Sequence, residues 1–268
     1  MRRTIRAAGA RCKRRLINLY GSIVLWRERR RSQRSTVEPG VTVVTANWNT
    51  LHFLQTLIEQ VRLRSAPSIR IVVVDNASTD GSREFLRSNG SIDSVLLCAN
   101  VLHGRAIDIA LARSRTETVV VLDVDAFPVS DAWLDEALAA LDEGKVLYGA
   151  HIHRNYIHPC FLVARRSTLV GNRLSFRPVG THPMPGHKRF GLHLDAGEAV
   201  SQAVVVRFGQ ASIVPIPISE MRGPGIGGAV FGGLVYHNFY STYGEHAATA
   251  ITRFDEAVER WCGVRPEQ

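Results

Sequence analysis

The stretch VTVVTANWNT, residues 41–50, is decisive for the fold of this chain. Its first six residues are rich in β-branched side chains, which is typical of a strand buried on both faces of a parallel sheet. The strand ends in the cluster Asn47-Trp48-Asn49. An open parallel sheet binds ligands beyond the carboxyl ends of its strands, so this cluster is predicted to lie at a binding edge.

The same pattern continues through residue 125. Further strands are predicted at Ile69–Val74, Ser94–Cys98 and Thr118–Leu122, and helices at Thr50–Arg64, about Ser78–Ser88 and His103–Ser114. The second strand ends in Asp75-Asn76 and the fourth in Asp123-Val124-Asp125. This alternation predicts an α/β fold with a mostly parallel central sheet that is flanked by helices, with the polar clusters along one edge.

The second half of the chain is less regular. Helices are predicted at Ala132–Leu141, His193–Val206 and about His246–Cys262, and strands at Val146–His151, Cys160–Val163 and Ser212–Pro215. Leu174–Phe190 is predicted to be a loop. Gly223–Gly233 holds six glycines and is predicted to be a mobile loop, either a lid over the site or an ordered glycine-rich turn.

The net charge of +9 over 268 residues is unevenly distributed. Residues 1–36 carry twelve Lys or Arg and one acidic residue, a net of +11, and the rest of the chain sums to −2. The excess charge therefore belongs to a basic, amphipathic N-terminal arm, predicted as residues 1–38. The near-neutral remainder, residues 39–268, is long enough for one domain.

The arm contains an apolar run, Leu16–Trp26, between two basic clusters. The run is too short to span a membrane and lacks a cleavage site for a signal peptide. A helix lying in the membrane interface is predicted, with Tyr20 and Trp26 at headgroup level and arginines on anionic phosphates. A solvated disordered tail and an organellar transit peptide are the alternatives.

Four separated cysteines, without a Cys-x-x-Cys pair, indicate reduced thiols rather than a disulfide scaffold or zinc ribbon. Together with the arm, this predicts a cytoplasmic protein that is peripheral at the inner face of the membrane. The body lacks a nucleic-acid reader motif, so no specific nucleic acid is predicted as a partner. A non-catalytic binder of nucleic acid or membrane, working through the arm, is one alternative function.

The Asp123-x-Asp125 pair is the strongest chemical signal. Mn²⁺ and Mg²⁺ prefer oxygen ligands and are often held by one or two carboxylates together with substrate phosphates. At a strand end, two carboxylates supply part of that shell. A nucleotidyltransferase would use a similar sheet and carboxylate pair, but that class usually carries a glycine-rich, basic loop after the first strand, which ANWNT lacks.

Four segments in this order resemble the nucleotide-sugar-binding half of the GT-A glycosyltransferases, specifically the inverting family 2 with its rhamnosyltransferase-like members. The segments are VTVVTANWNT (41–50), VVVDNASTDGS (72–82), NVLHGRAIDIALARS (100–114) and VVVLDVDAFP (119–128). The resemblance implies a GT-A fold, with a nucleotide-sugar-binding half at 39–128 and an acceptor-binding half at 129–268. One departure is Asp108, where the family usually has Asn.

The resemblance also implies roles for individual residues. Asp123 and Asp125 are expected to hold Mn²⁺ or Mg²⁺, and Asp75 and Asn76 to face the base and ribose. The donor-binding residues implied are Thr45, Asn47, Asn49, Asp75, Asn76, Asn100, Gly104, Arg105 and Asp123.

Three later segments match more loosely: HPCFLVARRSTL (158–169), LHLDAGEAVS (192–201) and VYHNFYSTY (235–243). They imply Asp195 as the catalytic base with Glu198 as its substitute, and His237 as a third metal ligand. Asp195 as the N-cap of a helix beginning at Ala196 is the alternative. A zinc site among His151, His153, His158 and Cys160 is a further alternative.

The implied reaction is inverting transfer of one sugar from a UDP-, GDP- or dTDP-linked donor to a hydroxyl of a glycan or lipid-linked glycan. A single displacement at the anomeric carbon needs one positioned carboxylate to accept the acceptor proton. No run is long enough to span a membrane and no Gln-x-x-Arg-Trp motif occurs, so a non-processive hexosyl- or deoxyhexosyltransferase of cell-envelope polysaccharide is predicted.

Overall fold

The computed structural model describes residues 2–151, 156–178, 181–182, 192–193, 195–221, 227–239 and 247–263. Over this part of the chain the helices are α1 (Arg2–Gln33), α2 (Leu51–Leu63), α3 (Ser82–Ser88), α4 (His103–Arg113), α5 (Asp135–Asp142), α6 (Glu198–Phe208) and α7 (Ala247–Cys262). Short π and 3₁₀ turns cover Ser167–Gly171 and Gln210–Ser212.

The strands form one large sheet, one smaller sheet and a short pair. They are β1 (Glu38–Asn47), β2 (Arg70–Asp75), β3 (Asp93–Leu96), β4 (Thr116–Val121), β5 (Ala126–Pro128), β6 (Leu147–His151), β7 (Ile157–Arg165), β8 (Thr181–His182), β9 (Leu192–His193), β10 (Ile213–Ile216), β11 (Ile218–Met221), β12 (Ala229–Phe231) and β13 (Val235–His237).

The large sheet has the order β10-β6-β7-β4-β1-β2-β3. Strand β1 pairs in parallel with β2 and β4, β2 with β3, and β6 with β10, whereas β7 is antiparallel to both of its neighbours. The predicted mostly parallel sheet flanked by helices is confirmed, and so is the strand-helix alternation of residues 41–125.

Apolar layers on both faces explain why the central strands are continuously apolar. Val43, Val73 and Val120 point into the layer that includes helices α2 and α5, whereas Val44, Val74 and Val121 point into the layer that includes α4 and α6. Burial of one such side chain contributes roughly 1.5–3 kcal/mol. Because both faces are covered, the alternation of polar and apolar residues seen in half-exposed strands does not occur here.

The smaller sheet has the order β11-β12-β13-β5 and is antiparallel. It corrects the prediction that Gly223–Gly233 forms one loop. Residues 229–231 are a strand, and Gly232 and Gly233, at φ of 56° and 72°, turn the chain into β13. Glycine adopts this left-handed conformation without steric cost, so these two glycines serve an ordered hairpin. Residues 223–226 lie outside the described part.

Two other predictions in the second half need correction. The helix expected at His193–Val206 begins only at Glu198, and residues 192–193 pair with 181–182 as a short antiparallel ladder. The expected loop Leu174–Phe190 therefore contains one strand, and its residues 179–180 and 183–190 lie outside the described part. The predicted final helix is confirmed as Ala247–Cys262.

The N-terminal arm is helical from Arg2 to Gln33 and packs against α4, so the alternative of a disordered tail is wrong for this segment. Tyr20 does not lie on the exposed side. Its hydroxyl accepts a hydrogen bond from the Cys98 backbone N–H at 3.0 Å, which corrects its predicted headgroup position. Among the helices of the described residues, α1 included, we find none that is both long and apolar enough to cross a membrane.

Candidate active site

The polar ends of β1, β2 and β4 meet at one edge of the large sheet. Asn47 is paired with Asp75 in the parallel register of β1 and β2, and Val44 is paired with Val121, two residues before Asp123. Strand β7 runs in the opposite direction, so its first residues, including His158, lie at this same edge. The predicted convergence of the three clusters is confirmed.

Asp123, Asp125 and His237 form what we call the acidic centre. His237 Nε2 lies 3.2 Å from Asp125 Oδ1 and 3.7 Å from Asp123 Oδ2, and all three side chains are buried. The pairing of β13 with β5 sets this geometry, because it places His237 opposite Ala126. The Asn238 N–H also donates to the Asp125 carbonyl at 3.0 Å.

Two further histidines and a cysteine surround the acidic centre. His103 Nε2, in the first turn of α4, lies 3.0 Å from Asp123 Oδ1, and His158 Nδ1 lies 3.8 Å from Asp123 Oδ2. The rings of His158 and His237 are 5.5 Å apart. Cys160 is fully buried, and its backbone N–H donates to His158 Nδ1.

These contacts shift the protonation equilibria. Burial alone would raise the pKa of Asp123, but His103, then His158 and His237, hold it well below its usual range. Burial alone would lower the pKa of His237, but Cys160 and Asp125 raise it well above its ordinary value. The pKa of the Cys160 thiol is lowered despite its burial, because His237 and His158 favour the thiolate. The site is therefore a dense array of opposite charges.

Helix α7 fixes the position of His237 through the two residues that follow it. Arg253 donates to the Asn238 side chain at 2.9 Å and to the backbone carbonyls of Asn238 and Phe239. The Asn238 amide in turn donates to Ala250 O at 2.9 Å. The sequence patterns did not single out Arg253, because its role depends on a helix that arrives late in the chain.

The turns after β1 and β2 are held together by their own side chains. The Asn47 amide donates to Asp75 Oδ2 at 3.0 Å and to Ser78 Oγ at 3.2 Å, and Thr50 donates to Asn47 Oδ1 at 2.7 Å. Asp75 Oδ1 accepts from the Ser78 N–H and from Arg83. This network fixes the edge on which a donor would lie.

The network bears on the predicted roles of four residues. Thr45, Asn47 and Asp75 have no exposed surface, and Asn76 is 3% exposed. Asn76 uses its amide to bind Asn100 Oδ1 and the Val101 N–H, at 2.9 and 2.8 Å. In this tight turn the side chains hold the backbone, and their role as donor contacts stays a prediction.

Other residues of the same turn are open to solvent. Trp48 is 44% exposed. The exposed Asn49 adopts a positive φ of 52° and accepts a hydrogen bond from the Thr79 N–H at 2.7 Å. Asn100 is half-buried, and its Oδ1 also accepts from the Leu102 N–H. Trp48, Asn49 and Asn100 are thus the accessible side chains among those predicted at this edge.

Helix α4 connects this edge to the second half of the chain. A Cβ atom on Gly104 would lie 2.2 Å from the Phe176 carbonyl oxygen, so glycine is required for this close approach. Asp108 accepts from Ser175 Oγ at 2.6 Å and from the Phe176 N–H at 2.8 Å. Burial raises the pKa of Asp108. Gly104 and Asp108 therefore anchor the 175–176 segment to α4.

Arg105 lies on the side of α4 that faces α1. Its Cγ is 3.4 Å from where a Cβ on Gly21 would be, and burial lowers its pKa although Asp108 opposes this. No described contact brings it to the acidic centre, so the expected phosphate contact is unsupported by this arrangement.

The predicted base, Asp195, lies three residues before the first residue of α6. Asp195 Oδ2 accepts from the Tyr156 hydroxyl at 3.2 Å and Oδ1 from the Ala196 N–H at 2.8 Å, and the residue is exposed. The Tyr156 ring lies 6.0 Å from that of His158, which connects Asp195 to the acidic centre. The N-cap of α6 is Gly197, so the alternative that Asp195 is the N-cap of this helix is wrong.

Glu198 has a different environment from Asp195. It is 3% exposed, and its Oε2 accepts from the Asp195 N–H at 3.1 Å. This carboxylate closes the turn that leads into α6. The arrangement supports Glu198 as a positioning residue for Asp195, and its role as a substitute base stays a prediction.

The residues of the acidic centre fit a divalent cation. One ligand atom from each of the three lies within 4.8 Å of the other two. Asp123 Oδ1 is buried without a well-aligned hydrogen bond, which leaves it available as a ligand. Two carboxylates and one imidazole suit Mn²⁺ or Mg²⁺ and leave coordination positions for a diphosphate.

A cavity of about 620 Å³ lies at the opposite end of the sheet. Its lining includes Arg62, Arg70, Arg113 and Arg115, near the starts of the central strands. Each of these arginines has a hydrogen-bond partner in the protein. It is far from the acidic centre along the strands, and we do not assign it to the site.

The fold and the carboxylate edge are those of a nucleotide-diphospho-sugar transferase of the GT-A type. The sequence profile of glycosyl transferase family 2 matches residues 42–182, which is more than half of the chain. The chain therefore belongs to glycosyl transferase family 2. Its membership separates it from the nucleotidyltransferases, the alternative enzyme class.

Known proteins resemble the chain in sequence and in fold. The putative teichuronic acid biosynthesis glycosyltransferase TuaG of Bacillus subtilis (strain 168) is 30% identical over 105 residues, which cover 38% of this chain and 40% of TuaG. The chain thus matches less than half of the length of this curated relative.

Two solved structures share the fold at lower identity. The mannosyltransferase PcManGT from Pyrobaculum calidifontis, solved with GDP-Man and Mn²⁺, has a TM-score of 0.52 and 18% identity, covering 79% of this chain and 65% of that one. Glucosyl-3-phosphoglycerate synthase from Mycobacterium tuberculosis, solved with Mn²⁺, UDP and glucosyl-3-phosphoglycerate, has a TM-score of 0.51 and 14% identity, covering 91% and 85%.

Proposed function

We propose that this protein is an inverting glycosyltransferase. It transfers one sugar from a nucleotide-diphospho-sugar to a hydroxyl of a glycan or lipid-linked glycan, and it uses Mn²⁺ or Mg²⁺. The observation that carries the proposal is the acidic centre, where β13 brings His237 against Asp123 and Asp125 at the carboxyl edge of a GT-A sheet. Family membership supports the reaction class.

Asp123, Asp125 and His237 would hold the cation. When bound, the cation offsets the negative charge that develops on the departing nucleoside diphosphate. The protein groups around it act electrostatically. His103 and His158 lie 3.0 and 3.8 Å from the Asp123 carboxylate, so they limit the net negative charge that the diphosphate meets.

The donor base is proposed to stack on Trp48. This indole is half-exposed at the same edge, and its neighbour Asn49 is fixed by the Thr79 N–H. A flat aromatic surface binds a nucleobase through its π-face with little dependence on the base. This feature favours binding of a nucleotide but leaves the choice among UDP, GDP and dTDP to other contacts.

Asp195 is proposed as the base. Its carboxylate accepts the proton from the acceptor hydroxyl as that oxygen bonds to the anomeric carbon, and the bond from that carbon to the diphosphate breaks. The Tyr156 hydroxyl and the Ala196 N–H orient the carboxylate. One direct displacement inverts the anomeric configuration.

Two finer assignments rest on the relatives and on the sequence. The name of TuaG supports a cell-envelope polysaccharide as the product. Non-processive transfer of a single hexosyl or deoxyhexosyl unit is proposed because residues 1–268 carry no Gln-x-x-Arg-Trp motif of the processive members.

The test combines binding and turnover. We expect Mn²⁺ with one of the UDP-, GDP- or dTDP-sugars to raise the Tm of the native protein. Asp125→Asn should remove this shift and reduce turnover by about 100-fold or more, since it removes a metal ligand. Asp195→Asn should keep the shift and lose turnover by a similar factor.

Asp131→Asn is the matched control, because Asp131 is an exposed carboxylate that pairs with Arg64 at the surface. It should behave like the native protein in both assays. Absence of a shift with every nucleotide-sugar would contradict the proposed donor class. Normal turnover by Asp195→Asn would contradict only the base assignment.

A further inference from the structure

From residue 12 onward, helix α1 packs against the domain with one side. The side chains on this side recur at helical spacing and contact the layer that includes α4: Ile17, Tyr20, Val24 and the fully packed Leu25. Gly21 lies between them and faces Val101. Glu28 continues the same side and binds Arg113 at 3.2 Å. The helix is thus fixed to the domain over about three turns.

The opposite side of α1 exposes an apolar stripe. Leu16, Leu19, Ile23 and Trp26 are 62, 58, 49 and 54% exposed. At 3.6 residues per turn their side chains fall within an arc of about 80°. Within the described residues, nothing covers this stripe, which is unusual for four large apolar side chains on one helix face.

Basic side chains flank the stripe. Arg15 and Arg27 are exposed on its two sides, and Arg30 lies over the Trp26 ring, 4.3 Å from its centroid. Residues 1–36 carry +11, whereas the rest of the chain carries −2. The surface therefore combines exposed apolar side chains with a rim of positively charged side chains.

We propose that this face of α1 binds the surface of an anionic membrane, with Leu16, Leu19, Ile23 and Trp26 in the headgroup region. The charge selects this occupant. A lipid bilayer with anionic headgroups complements the basic rim, whereas a second copy of α1 would bring another +11 arm against it. The proposal goes beyond the transfer reaction, because it assigns a docking surface.

The geometry connects this surface to the active site. α1 packs along α4, and the first turn of α4 carries His103, which contacts Asp123 at 3.0 Å. A membrane on the outer side of α1 would therefore lie about two helix diameters, roughly 20 Å, from the acidic centre. Residues 2–20 of α1 extend past the level of Val101 toward the carboxyl edge of the sheet.

The test is flotation of the full chain with vesicles of phosphatidylcholine alone or with phosphatidylglycerol added. We expect flotation with the mixed vesicles only, and loss at high salt. The variant in which Leu16, Leu19, Ile23 and Trp26 are all changed to Gln should bind the mixed vesicles at least about tenfold more weakly. Vesicle binding by the native chain should shift the Trp26 fluorescence to shorter wavelength. Trp26→Phe should bind the vesicles without this blue shift.

A control variant changes three exposed apolar residues elsewhere, Leu63, Val206 and Ile251, to Gln and should float like the native chain. Circular dichroism and Tm verify that each variant is folded. Equal flotation of the native chain and the four-residue variant would overturn the proposal. A dimer of the native chain that the four-residue variant loses, without vesicle binding, would assign the stripe to a second copy instead.

A second donor set overlaps the acidic centre and carries an independent inference. His158, Cys160 and His237 each offer one ligand atom, and these atoms lie within 4.8 Å of one another. The His237 Nε2 atom faces Asp125, and its buried Nδ1 atom has no hydrogen-bond partner among the described residues. The histidine therefore has one nitrogen available for this set.

We infer that these three residues form a site for a soft divalent cation such as Zn²⁺. One thiolate and two imidazoles are ligands that zinc prefers, and Mn²⁺ and Mg²⁺ do not favour thiolates. His237 belongs to both sets, with Nε2 toward Asp125 and Nδ1 available to zinc. Zinc bound here would place a second positive charge next to the acidic centre, so it is expected to weaken binding of the hard cation there.

Cobalt absorption tests this site without any assay of turnover. Co²⁺ added to the metal-free full chain should give a thiolate-to-cobalt charge-transfer band in the near ultraviolet, and stoichiometric Zn²⁺ should remove it. Cys160→Ser should lack the band, whereas Cys98→Ser, at an exposed cysteine, should keep it. A missing band in the native chain, or one that Cys160→Ser retains, would show that the set binds no soft metal.

Discussion

Trp48 stands half-exposed at the binding edge, while the polar residues around it are used inside the protein. Asn47 and Asp75 bind each other and the neighbouring turn, so their groups are already occupied. A single aromatic residue at such an edge is exposed at a cost in solvation, since 44% of its surface meets water. A ligand that stacks on the ring removes this cost.

Trp48→Ala should raise the KM for the nucleotide-sugar by about tenfold with little change in kcat, because loss of a base–aromatic stack costs about 1–3 kcal/mol. Trp48→Phe keeps an aromatic face and should remain within a few-fold of the native KM. Steady-state kinetics with a saturating acceptor measures both. Equal KM values for the Ala and Phe variants would show that the ring does not contact the base.

The acidic centre also depends on a residue that fixes the position of one of its members, His237. Arg253 reaches from α7 to Asn238 and Phe239, directly after His237, and it donates three hydrogen bonds to them. Its role is positional, because the interactions fix the strand end and not the cation itself.

Arg253→Lys should weaken Mn²⁺ binding by about tenfold, because loss of a group that supports a ligand typically costs 10–100-fold in metal affinity. Isothermal titration of the metal-free protein with Mn²⁺ measures the change in affinity. Asp125→Asn shows for comparison how much affinity is lost when a metal ligand itself is removed. Arg260→Lys, on the same helix but paired with Glu220, is the control and should keep native affinity. Unchanged Mn²⁺ affinity of Arg253→Lys would show that the contacts of α7 with Asn238 and Phe239 do not support the metal site.

At the scale of elements, α4 links the donor edge to the acceptor half. Its first turn contributes His103 to the acidic centre, Gly104 touches the Phe176 backbone, and Asp108 holds Ser175 and Phe176. The same helix supports α1 on its other side. Three parts of the molecule thus meet at one short helix: the acidic centre, the 175–176 segment and α1. A substitution that disturbs the packing of α4 therefore affects all three.

Gly104→Ala should destabilise the protein by about 1–3 kcal/mol, because the new Cβ would lie 2.2 Å from a backbone oxygen that cannot rotate away. This corresponds to a fall in Tm of roughly 2–12 °C. Gly90→Ala is the matched control, since a Cβ there meets nothing within 4 Å. Equal Tm values for the two variants would show that the 175–176 segment moves freely.

At the scale of the whole molecule, the charged groups of the site couple stability to pH. His103, His158 and His237 all have raised pKa values in the folded protein. Burial by itself would lower these pKa values, but the neighbouring Asp123, Cys160 and Asp125 raise them by more. Their ordinary pKa is about 6.5. Above pH 6.5 the folded state therefore binds more protons than the unfolded state at these groups.

The metal-free protein should thus lose stability as pH rises from about 6.5 through the raised histidine pKa values. The lowered pKa of Cys160 acts in the opposite direction, but it is one group against three. Thermal unfolding in EDTA between pH 6 and 8.5 measures the trend. A Tm that rises over this range would show that the histidines are neutral in the folded state.

The local patterns in the sequence allowed the central sheet and the carboxylate edge to be predicted. Strand and helix positions between residues 41 and 125 follow from runs of apolar residues, and a parallel sheet must bring the ends of such strands to one edge. Asp123, Asp125 and the terminal helix were identified for this reason. The uneven distribution of charge also follows directly from the sequence, because it requires only a count of the charged residues.

Only the tertiary structure decided which side chains remain available at that edge. Asp75 and Asn76 look like ligand contacts in the sequence, yet packing encloses them, and Trp48 is left exposed. His103 on α4, His158 and Cys160 on β7, and Arg253 on α7 come together around the acidic centre. The two sides of α1 differ only because α4 covers one of them. Periodicity reports local conformation, whereas burial and contact depend on long-range packing that no short segment encodes.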